Sequence, residues 1–564
     1  MTPDRLLTHF DRIAEAPDAI PRLRQFILDL AVRGKLVEQD PNDEPAAELL
    51  KRIQVETGRL VKEGKIKKQA TLLPVNIETV PFTVPKHWAW LQLCGIGTLS
   101  GGMTPSKNRQ DFWDGNINWF SPKDIKSDEL IDSELKITGA GVAETGLQVY
   151  PPGCLFMVAR SGILKRTFPV AINRVEATAN QDLKILNPFL KGIERYLQIM
   201  FRGMTDYILS ALVKTGTTVQ SLKYEEFELQ PLPLPPLAEQ HRIVAKVDEL
   251  MALCNRMEAA QAERERRRDR LAAASLHRLN NGADAAEFRE HARFHLDQLA
   301  RFTTRPDQIP ALRQTILNLA VRGKLVPQDP NDEPACVSLK QIHSDSSSIS
   351  YDSRVFSEAL TSFTVPPHWS VHPLARVASD IVDCPHSTPK WTTEGEICVR
   401  TNQFRPGHLD LSDVRFVSEA TYLERIQRLE PIESDILYSR EGGILGIACR
   451  VPPNTKLCLG QRMMLIRAGM ATDAAFLEMV LNSPLITEIA RGRTTGGAAP
   501  RVNVATVKAY PIPVPPIAEQ HRIVAKVEEL FALCNQLEAQ LTNTQTERRR
   551  LLESVLHEAL APAA

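Results

Sequence analysis

Long internal repeats constrain the fold of this chain more than any other feature of its sequence. Residues 235–258 return at 515–538 with five changes, at positions 237, 248, 251, 256 and 257. Residues 23–46 return at 312–335 with three changes, at positions 26, 29 and 38. The period of about 280 residues is far longer than that of a solenoid repeat, so the sequence predicts two large homologous halves.

Two blocks between the repeats, residues 82–235 (module 1) and 363–515 (module 2), have diverged but keep a common frame. They begin alike, with FTVPKHW at 82–88 and FTVPPHW at 363–369. Matching residues still stand 280 positions apart, among them Gly115 and Gly395, Ile117 and Ile397, Arg160 and Arg440, Gly162 and Gly442, Gln181 and Gln461, and Gly216 and Gly496. Short β-type runs at 115–120, 154–159, 395–400 and 435–439 alternate with turn residues. The modules are therefore predicted to share one mixed α/β fold with different surfaces.

A long amphipathic segment follows each module. Apolar residues recur at steps of four and three, from Ile243 to Met257 in the first copy and from Ile523 to Leu541 in the second. This spacing favours a narrow coiled-coil seam, and each helix is predicted to run for about 40 residues. An ordinary helix that covers its own domain is an alternative for either copy alone, whereas two matched helices favour pairing with each other.

The composition is that of an ordinary soluble globular protein. Among the 564 residues, 68 are basic, 68 are acidic and 43% are hydrophobic. The zero net charge argues against a protein that coats nucleic acid by bulk charge. Nine cysteines without a C-x-x-C pair indicate a reduced, intracellular protein without a zinc site or a disulfide framework. Neither a signal peptide nor a membrane span is predicted.

The motifs of common catalytic sites are missing from the sequence. It contains no phosphate-binding P-loop, no H-E-x-x-H zinc motif and no Asn-Pro-Pro-aromatic string of an amino-methyltransferase. The string Gly95-Ile-Gly97-Thr-Leu-Ser100 has serine at the third glycine position of a dinucleotide loop, and we interpret it as a turn. We therefore predict no catalytic residue, no metal ligand and no enzymatic activity for the chain by itself.

Local charge is more informative than total charge. Each module carries 16 basic and 15 acidic residues, yet the stretches 160–174 and 491–508 contain no acid. Arginine can hold a phosphate or guanine, and Asn or Gln can pair with adenine, so these basic tracts with their Ser, Thr and Gly neighbours suit DNA contact. For any single residue, an ordinary surface loop is an equally good interpretation. As matched pairs, the loops favour DNA.

The doubled string P-[LI]-P-[LV]-P-P-[LI]-A-E-Q-H-R-I-V, which follows both modules, resembles that of the specificity subunits of Type I restriction-modification systems. The string Ala-Val-Arg-Gly-Lys-Leu-Val at 31–37 and 320–326 belongs to the same pattern, and the resemblance spans almost the whole chain. It implies an α+β protein with two target recognition domains, joined by two long antiparallel coiled-coil helices in a pseudo-twofold arrangement. Each module would then read one half of a bipartite, asymmetric DNA target.

The resemblance also implies partners that carry the chemistry. Two modification subunits would methylate adenine N6 with S-adenosylmethionine, and restriction subunits would translocate and cleave DNA with ATP and Mg²⁺. This chain would hold no cofactor and would act in phage defence in the cytoplasm of a bacterium or archaeon, associated with the nucleoid when on DNA. Two alternatives are a scaffold whose modules bind proteins without reading DNA and a stand-alone DNA-processing enzyme, which the missing motifs oppose.

The predicted domain division has six parts. They are an N-terminal helical conserved region (1–81), target recognition domain 1 (82–235), a long spacer helix (236–281), a helical conserved repeat with a linker (282–362), target recognition domain 2 (363–515) and a C-terminal spacer helix (516–564).

The candidate site residues lie on polar or basic segments of each half. For DNA binding by module 1 they are Ser106, Lys107, Arg109, Ser121, Lys123, Arg160, Ser161, Lys165, Arg166, Thr215, Thr217, Thr218, Gln220 and Lys223. For DNA binding by module 2 they are Ser387, Thr388, Lys390, Arg400, Thr401, Asn402, Arg440, Arg491, Arg493, Thr494, Arg501 and Asn503. The candidates for docking of partner subunits are Glu239, Gln240, His241, Arg242, Glu519, Gln520, His521 and Arg522. Near their starts the modules align only with a gap, 103–107 against 387–390, which predicts different loop lengths and different target halves.

Overall fold

A computed structural model describes residues 15–66, 75–76, 80–216, 219–281, 285–335, 350–361, 364–495 and 500–560. The chain divides into two compact units. Unit 1 comprises residues 1–264 and 545–564, and unit 2 comprises residues 265–544. Each unit has its own large hydrophobic core and contains one complete module with one copy of the repeat that precedes it.

Close helix packing joins module 1 to the conserved repeat of unit 1. Helix Ala19–Val32 buries Ile20 and Ile27 and packs against helix Glu194–Gly203. Gly203 permits this approach, because a Cβ atom there would lie 2.6 Å from Val32 Cγ1. The α-helices of unit 1 are Ala19–Val32, Ala46–Lys62, Gly139–Thr145, Glu194–Gly203, Thr205–Ala211, Tyr224–Glu228 and the first part of Leu237–Asn281.

Module 1 is built on a five-stranded sheet whose spatial order is Gly97–Gly101, Leu183–Pro188, Leu155–Val158, Val170–Asn173 and Glu129–Leu130. A three-stranded sheet has the order Leu135–Ile137, Trp113–Phe120 and Ala177–Ala179. A second three-stranded sheet has the order Val213–Lys214, Gln220–Leu222 and Arg160–Ser161. The predicted β-runs at 115–120 and 154–159 are confirmed as strands.

Module 2 has a matching architecture in unit 2. Its main sheet has the spatial order Ala378–Asp383, Met463–Ala468, Ile436–Ser439 and Ala448–Arg450. This order matches that of the first four strands listed for the five-stranded sheet of module 1. A second sheet has the order Trp391–Thr392, Phe416–Val417, Glu396–Val399 and Leu457–Leu459, and a hairpin joins Phe404–Arg405 to His408–Leu409. The prediction that the modules share a mixed α/β fold is therefore confirmed.

The remaining elements of unit 2 are helical. They are Ala285–Asp297, Leu299–Phe302, Ile309–Val321, Ser353–Leu360, Leu374–Val377, Glu419–Ile426, Ala474–Asn482, Pro484–Gly492, Val504–Lys508 and most of Ile517–Leu560.

A two-stranded ribbon closes each module at its base. Strand Pro231–Leu234 pairs antiparallel with Ala89–Gln92, and Pro511–Val514 pairs with Ser370–Pro373. Because proline has no N–H, alternate prolines leave such a strand too few donors for a second neighbour. The chain therefore enters and leaves each module at adjacent points.

Two long helices follow the ribbons, the first over Leu237–Asn281 with 45 residues and the second over Ile517–Leu560 with 44 residues. The prediction of two helices of about 40 residues is confirmed. Along the predicted seam, Ile243, Val247 and Cys254 are buried in the core of their own unit. This part of the first helix thus follows the alternative interpretation, in which the helix covers its own domain. Pairing of the two long helices with each other stays a prediction.

No helix in the described ranges is both long enough and apolar enough to cross a membrane.

Candidate nucleic-acid interface

In module 1, strand pairing brings the acid-free tract beside the predicted glycine loop. Strand Arg160–Ser161 pairs with strand Gln220–Leu222, and Ser221 lies opposite Arg160. Strand Val213–Lys214 pairs with the other edge of Gln220–Leu222, so the loop that begins at Thr215 connects the two. The candidates Thr217 and Thr218 in that loop lie outside the described residues.

Module 2 brings together the equivalent segments. Arg501 forms β-bridges with both Glu441 and Thr495, and Val502 N donates to Arg440 O at 3.0 Å. In each module an arginine-containing segment thus pairs with a segment that borders a glycine-containing loop, an arrangement that the sequence did not predict.

A glutamine at matched positions holds a further loop in each module. Gln461 Nε2 donates to His386 O at 2.6 Å and to Thr388 Oγ1 at 3.4 Å. In module 1, Thr104 Oγ1 donates to Gln181 Oε1. The two loops that align only with a gap in sequence are thus anchored alike, through a Thr-Pro string and a glutamine.

The residue after each glutamine completes the arrangement. Asp182 O accepts a hydrogen bond from Arg160 N at 3.1 Å, and Arg462 O accepts one from Arg440 N at 3.3 Å. In each module these contacts connect four loops, which we call the loop face. The described part of the loop face of module 1 comprises residues 103–109, 160–166, 180–182, 215–216 and 219–223, and that of module 2 comprises 384–390, 440–442, 460–462, 491–495 and 500–503.

The loop faces carry exposed cations that form no ion pair within the described chain. In module 1 they are Lys107, Arg160, Lys165 and Arg166. The candidate Lys123 is also exposed and forms no ion pair with a described residue. In module 2 they are the candidates Lys390, Arg491 and Arg501, together with Arg462, which was not a candidate. Because their positive charges are not neutralised by a neighbouring carboxylate, these side chains are suited to phosphate or base contact.

Other candidate cations already have partners. Arg109 pairs with Asp111 and Glu144, and Arg400 Nη2 donates to Asp413 Oδ2 at 2.8 Å. Two further ion pairs join Arg493 to Glu358 and Lys223 to Glu226, and Lys223 Nζ also donates a hydrogen bond to Ala211 O at 3.0 Å. Exposed ion pairs contribute little free energy, so these side chains can exchange a carboxylate for a phosphate.

Arg440 requires a correction to its predicted role in DNA contact. Its side chain is only 7% exposed, and its Nε and Nη2 atoms donate to both carboxylate oxygens of Asp383 at 2.9 and 2.8 Å. Nη1 lies 3.1 Å from Glu441 and donates to Val502 O at 3.3 Å. With its donors engaged inside the module, Arg440 positions two loops of the loop face instead of contacting DNA.

The uncharged candidates differ in exposure. Gln220 is 3% exposed, and its Nε2 donates to Gly216 O at 3.0 Å, so it supports the loop from within. Ser121 Oγ donates to Asp124 Oδ2 at 2.7 Å, and Ser161 Oγ accepts from Ile163 N. Thr401 is half-buried at the start of a short 3-10 helix. The exposed members of the set are Ser106, Thr215, Ser387, Thr388, Asn402, Thr494 and Asn503.

The predicted docking residues Glu239 and Gln240 are buried, which requires a second correction. Glu239 is 1% exposed and accepts from Trp88 Nε1 at 2.9 Å and Gln39 Nε2 at 2.7 Å. Burial raises the pKa of Glu239 despite these hydrogen bonds. Gln240 Nε2 donates to Pro235 O at 3.0 Å. These side chains thus join the repeat, the module and the long helix within unit 1.

Unit 2 repeats this junction, so the correction applies to both copies. Glu519 accepts from Trp369 Nε1 at 3.0 Å and from Gln328, and Gln520 Nε2 donates to Pro515 O at 2.9 Å. Two bidentate ion pairs complete the junctions, Arg242 with Asp43 and Arg522 with Asp332. Of the signature residues, His241 and His521 are exposed, and docking at these two stays a prediction.

Sequence reasoning missed three residues of the interface. Asp383 and Arg462 were not candidates, because nothing local in the sequence indicates the contact of Asp383 with Arg440 or the exposed position of Arg462. Asp182 was missed for the same reason. The useful signal was the offset of 280 residues between the modules. It aligns Arg462 with Asp182, directly after the matched Gln181 and Gln461. Within the described ranges, no cluster of three His, Cys, Asp or Glu side chains could hold a metal ion.

Comparison with known proteins links these features to a family. A sequence profile described as "Type I restriction modification DNA specificity domain" matches residues 85–264 and 419–545, which is more than half of the chain. The chain is 29% identical over 582 residues to the Type I restriction enzyme EcoEI specificity subunit of Escherichia coli, with 96% of this chain and 94% of that protein covered. It is likewise 29% identical to the Type I restriction enzyme EcoAI specificity subunit of Escherichia coli, with the same coverage. A chain of a solved type I R-M system is 18% identical, with a TM-score of 0.47 and coverage of 85% of this chain and 99% of that chain.

Proposed function

Because this chain belongs to the family of Type I restriction-modification specificity subunits, we propose that it reads a bipartite DNA target with one module for each half. The observation that best supports this proposal is the loop face, which recurs in both modules with a matched backbone hydrogen bond and a matched glutamine but with different side chains around them. A common frame places each reader against the duplex, and the divergent side chains specify different bases.

The balance of charge supports a reader that acts within a larger assembly. Each loop face combines a few unpaired cations with residues that can read base edges, such as Thr388 and Asn503. The chain as a whole has no net charge. It would therefore bind DNA weakly and with strong salt dependence when alone, and firmly when partner subunits close around the duplex.

The long helices would set the distance between the half-sites. A helix of 45 residues is about 67 Å long at a rise of 1.5 Å per residue. Two modules that read one face of DNA must lie about 34–36 Å apart, or a multiple of that distance. An antiparallel pair of such helices, in a pseudo-twofold arrangement, is long enough to maintain this separation.

Partner subunits would supply the chemistry. Two modification subunits would transfer a methyl group from S-adenosylmethionine to adenine N6, and restriction subunits would use ATP and Mg²⁺. The exposed His241 and His521, at the start of each long helix, provide two matched positions for docking. The assembly would act on DNA in the cytoplasm of a bacterium or archaeon, in defence against phage.

Adenine-methylation mapping tests this proposal directly. The genome of a host is compared with and without this chain, in the presence of the modification subunits. We expect a bipartite motif that is methylated only when the chain is present. If the modules act only as a protein-binding scaffold, the methylated sequence will be the same without the chain.

Exchange of module 1 tests whether the modules read independently. Residues 82–235, which include both strands of the joining ribbon, are replaced by the equivalent module of a relative. We expect only one half of the methylated motif to change. A change in both halves would contradict independent reading, and a sham exchange of module 1 for itself is the control.

A further inference from the structure

The turn after the matched glutamine carries opposite charges in the two modules. Position 182 is aspartate in module 1 and position 462 is arginine in module 2. Each carbonyl accepts from the N–H of the aligned arginine, Arg160 or Arg440, but only Arg462 has a positive φ. The preceding glutamine contacts a threonine in each module, with Gln181 accepting from Thr104 and Gln461 donating to Thr388. The modules therefore differ at this turn in the charge of the side chain and in the backbone conformation that carries it.

Arg462 stands at the centre of its loop face. Its neighbour Gln461 holds the loop of His386 and Thr388, and its carbonyl accepts from Arg440, which positions the loop of Val502. The side chain is exposed and forms no ion pair with any described residue.

The backbone of Arg462 is unusual. Its φ is 68°, in the left-handed region that glycine adopts freely and arginine adopts rarely. A strained conformation of this kind persists where the surrounding structure enforces it, and such residues concentrate at functional sites. A glycine would fit this turn more easily, so folding alone does not explain the presence of arginine.

Asp182 has complementary properties in module 1. It is half-buried, and Asn180 Nδ2 donates to its Oδ2 at 3.3 Å, which orients the carboxylate. No described cation forms an ion pair with it, although it lies next to Arg160 in the hydrogen-bonding pattern. A carboxylate without a cationic partner is an acceptor for an exocyclic amino group.

We propose that positions 182 and 462 determine base specificity, with Asp182 accepting from cytosine in one half-site and Arg462 donating to guanine in the other. The inference rests on the proposed DNA-reading function. In the major groove, the guanidinium group can donate in a bidentate manner to guanine O6 and N7, and a carboxylate can accept from cytosine N4. Opposite charges on a common frame thus give the modules different base preferences.

The test of Arg462 uses Arg462→Gly in the full chain with its modification subunits, and the readout is genome-wide adenine methylation. Glycine removes the side chain and suits the left-handed backbone, so the melting temperature should be unchanged or higher. We expect the requirement for guanine at one position of one half-site to relax about tenfold or more, while the other half is unchanged.

Two variants provide controls. Asn454→Gly replaces another residue of module 2 with a positive φ, 54°, on a turn outside the loop face, and it should leave the motif unchanged. Arg462→Lys keeps the charge but loses the bidentate donor, and it should relax the same base position. If Arg462→Gly lowers methylation at all sites without altering any base requirement, Arg462 holds a phosphate and the inference is overturned.

The reciprocal variant Asp182→Arg tests the first half-site. We expect the base requirement to change at one position of that half, from cytosine toward guanine, with the second half unaffected. An unaltered first half would overturn the inference for module 1. Failure of the inference is distinguishable from failure of the proposed function, because in the latter case the unmodified chain directs no bipartite methylation at all.

Discussion

The guanidinium of Arg440 forms a bidentate ion pair with Asp383, at 2.9 Å from Nε and 2.8 Å from Nη2. The aligned Arg160 of module 1 has no such partner, because Gly101 occupies the matching strand position. Lys184 lies opposite Gly101 in the sheet of module 1, and Met464 lies opposite Asp383 in that of module 2. One arginine is therefore fixed inside its module, while the other stays exposed.

We expect the same substitution to have different consequences at these two arginines. Arg440→Ala leaves the half-buried Asp383 with only the exposed His386 beside it and frees Val502 O, so it should lower the free energy of unfolding by about 3 kcal/mol. Arg160→Ala removes an exposed side chain and should change that free energy by less than about 0.5 kcal/mol. Urea unfolding of both variants measures the difference. Equal losses would contradict the structural role of Arg440.

In DNA binding, the loss of Arg160 should have a larger effect than the loss of Arg440. In complex with the modification subunits, Arg160→Ala should reduce the slope of log affinity against log salt by about one, if its guanidinium contacts a phosphate. Lys246→Ala, on the exposed side of the first long helix and paired with Glu249, serves as a control that should leave the slope unchanged. A salt slope equal to that of the unmodified complex would exclude a phosphate contact for Arg160.

The two tryptophan–glutamate junctions allow a matched test of stability. Trp88→Phe removes the indole N–H that donates to Glu239 at 2.9 Å, and Trp369→Phe removes the equivalent donor to Glu519 at 3.0 Å. Each variant leaves a buried carboxylate oxygen without a partner and should cost about 1.5–3 kcal/mol of unfolding free energy. Thermal unfolding of the two single variants should show similar losses. A neutral result would mean that Gln39 alone satisfies the carboxylate.

These examples show what could be predicted from the sequence. Periodicity and repetition predict the long helices, the buried β-runs and the shared fold of the two modules, because these features depend on nearby residues or on an alignment between the halves. The repetition of Glu239 as Glu519 indicates that this position matters, but it does not indicate what the side chain does. The two glutamates are buried by contacts that include Trp88 and Trp369, which are more than a hundred residues away in the chain.

The candidate site was only partly predictable for the same physical reason. Arg160 and Arg440 are equivalent in sequence, and only the residue on a neighbouring strand, Gly101 or Asp383, determines whether the guanidinium is free. Arg462 carries no local signal at all. Its exposure and its positive φ follow from the turn between two strands.

Asp29 provides a prediction on pH dependence. Burial raises the pKa of its carboxyl group from 3.8 to about 6. The charge of Asp206 also raises this pKa, and the charge of Arg33 lowers it. The folded state therefore binds this proton more tightly than the unfolded state. The resulting stability is fully present below pH 3.8 and is lost as the pH rises through about 6.

Asp29→Asn should remove this pH dependence. At pH 8 the variant should be more stable than the unmodified chain by about 1 kcal/mol. The gain is smaller than the pKa shift alone implies, because the carboxyl group is partly exposed and solvent screens its charge. The second repeat already has asparagine here, Asn318, which donates to Asn280 Oδ1 at 2.9 Å. The reciprocal Asn318→Asp loses that donor and should destabilise unit 2. Melting temperatures at pH 5 and pH 8 measure both effects, and an equal pH response with and without Asp29 would contradict the assignment.

The length of the long helices should set the gap between the half-sites. Insertion of one heptad after both Ala260 and Gln540, which are matched positions, keeps the apolar register and extends each helix by about 10.5 Å. Since successive base pairs are about 3.4 Å apart, the unread gap should lengthen by about three base pairs, with the DNA between the half-sites twisted to keep both facing the modules, while both half-sites stay the same. Replacement of residues 261–267 and 541–547 by the same heptad, without a change in length, is the control. Methylation mapping that finds the original gap after insertion would show that the helices do not determine the spacing.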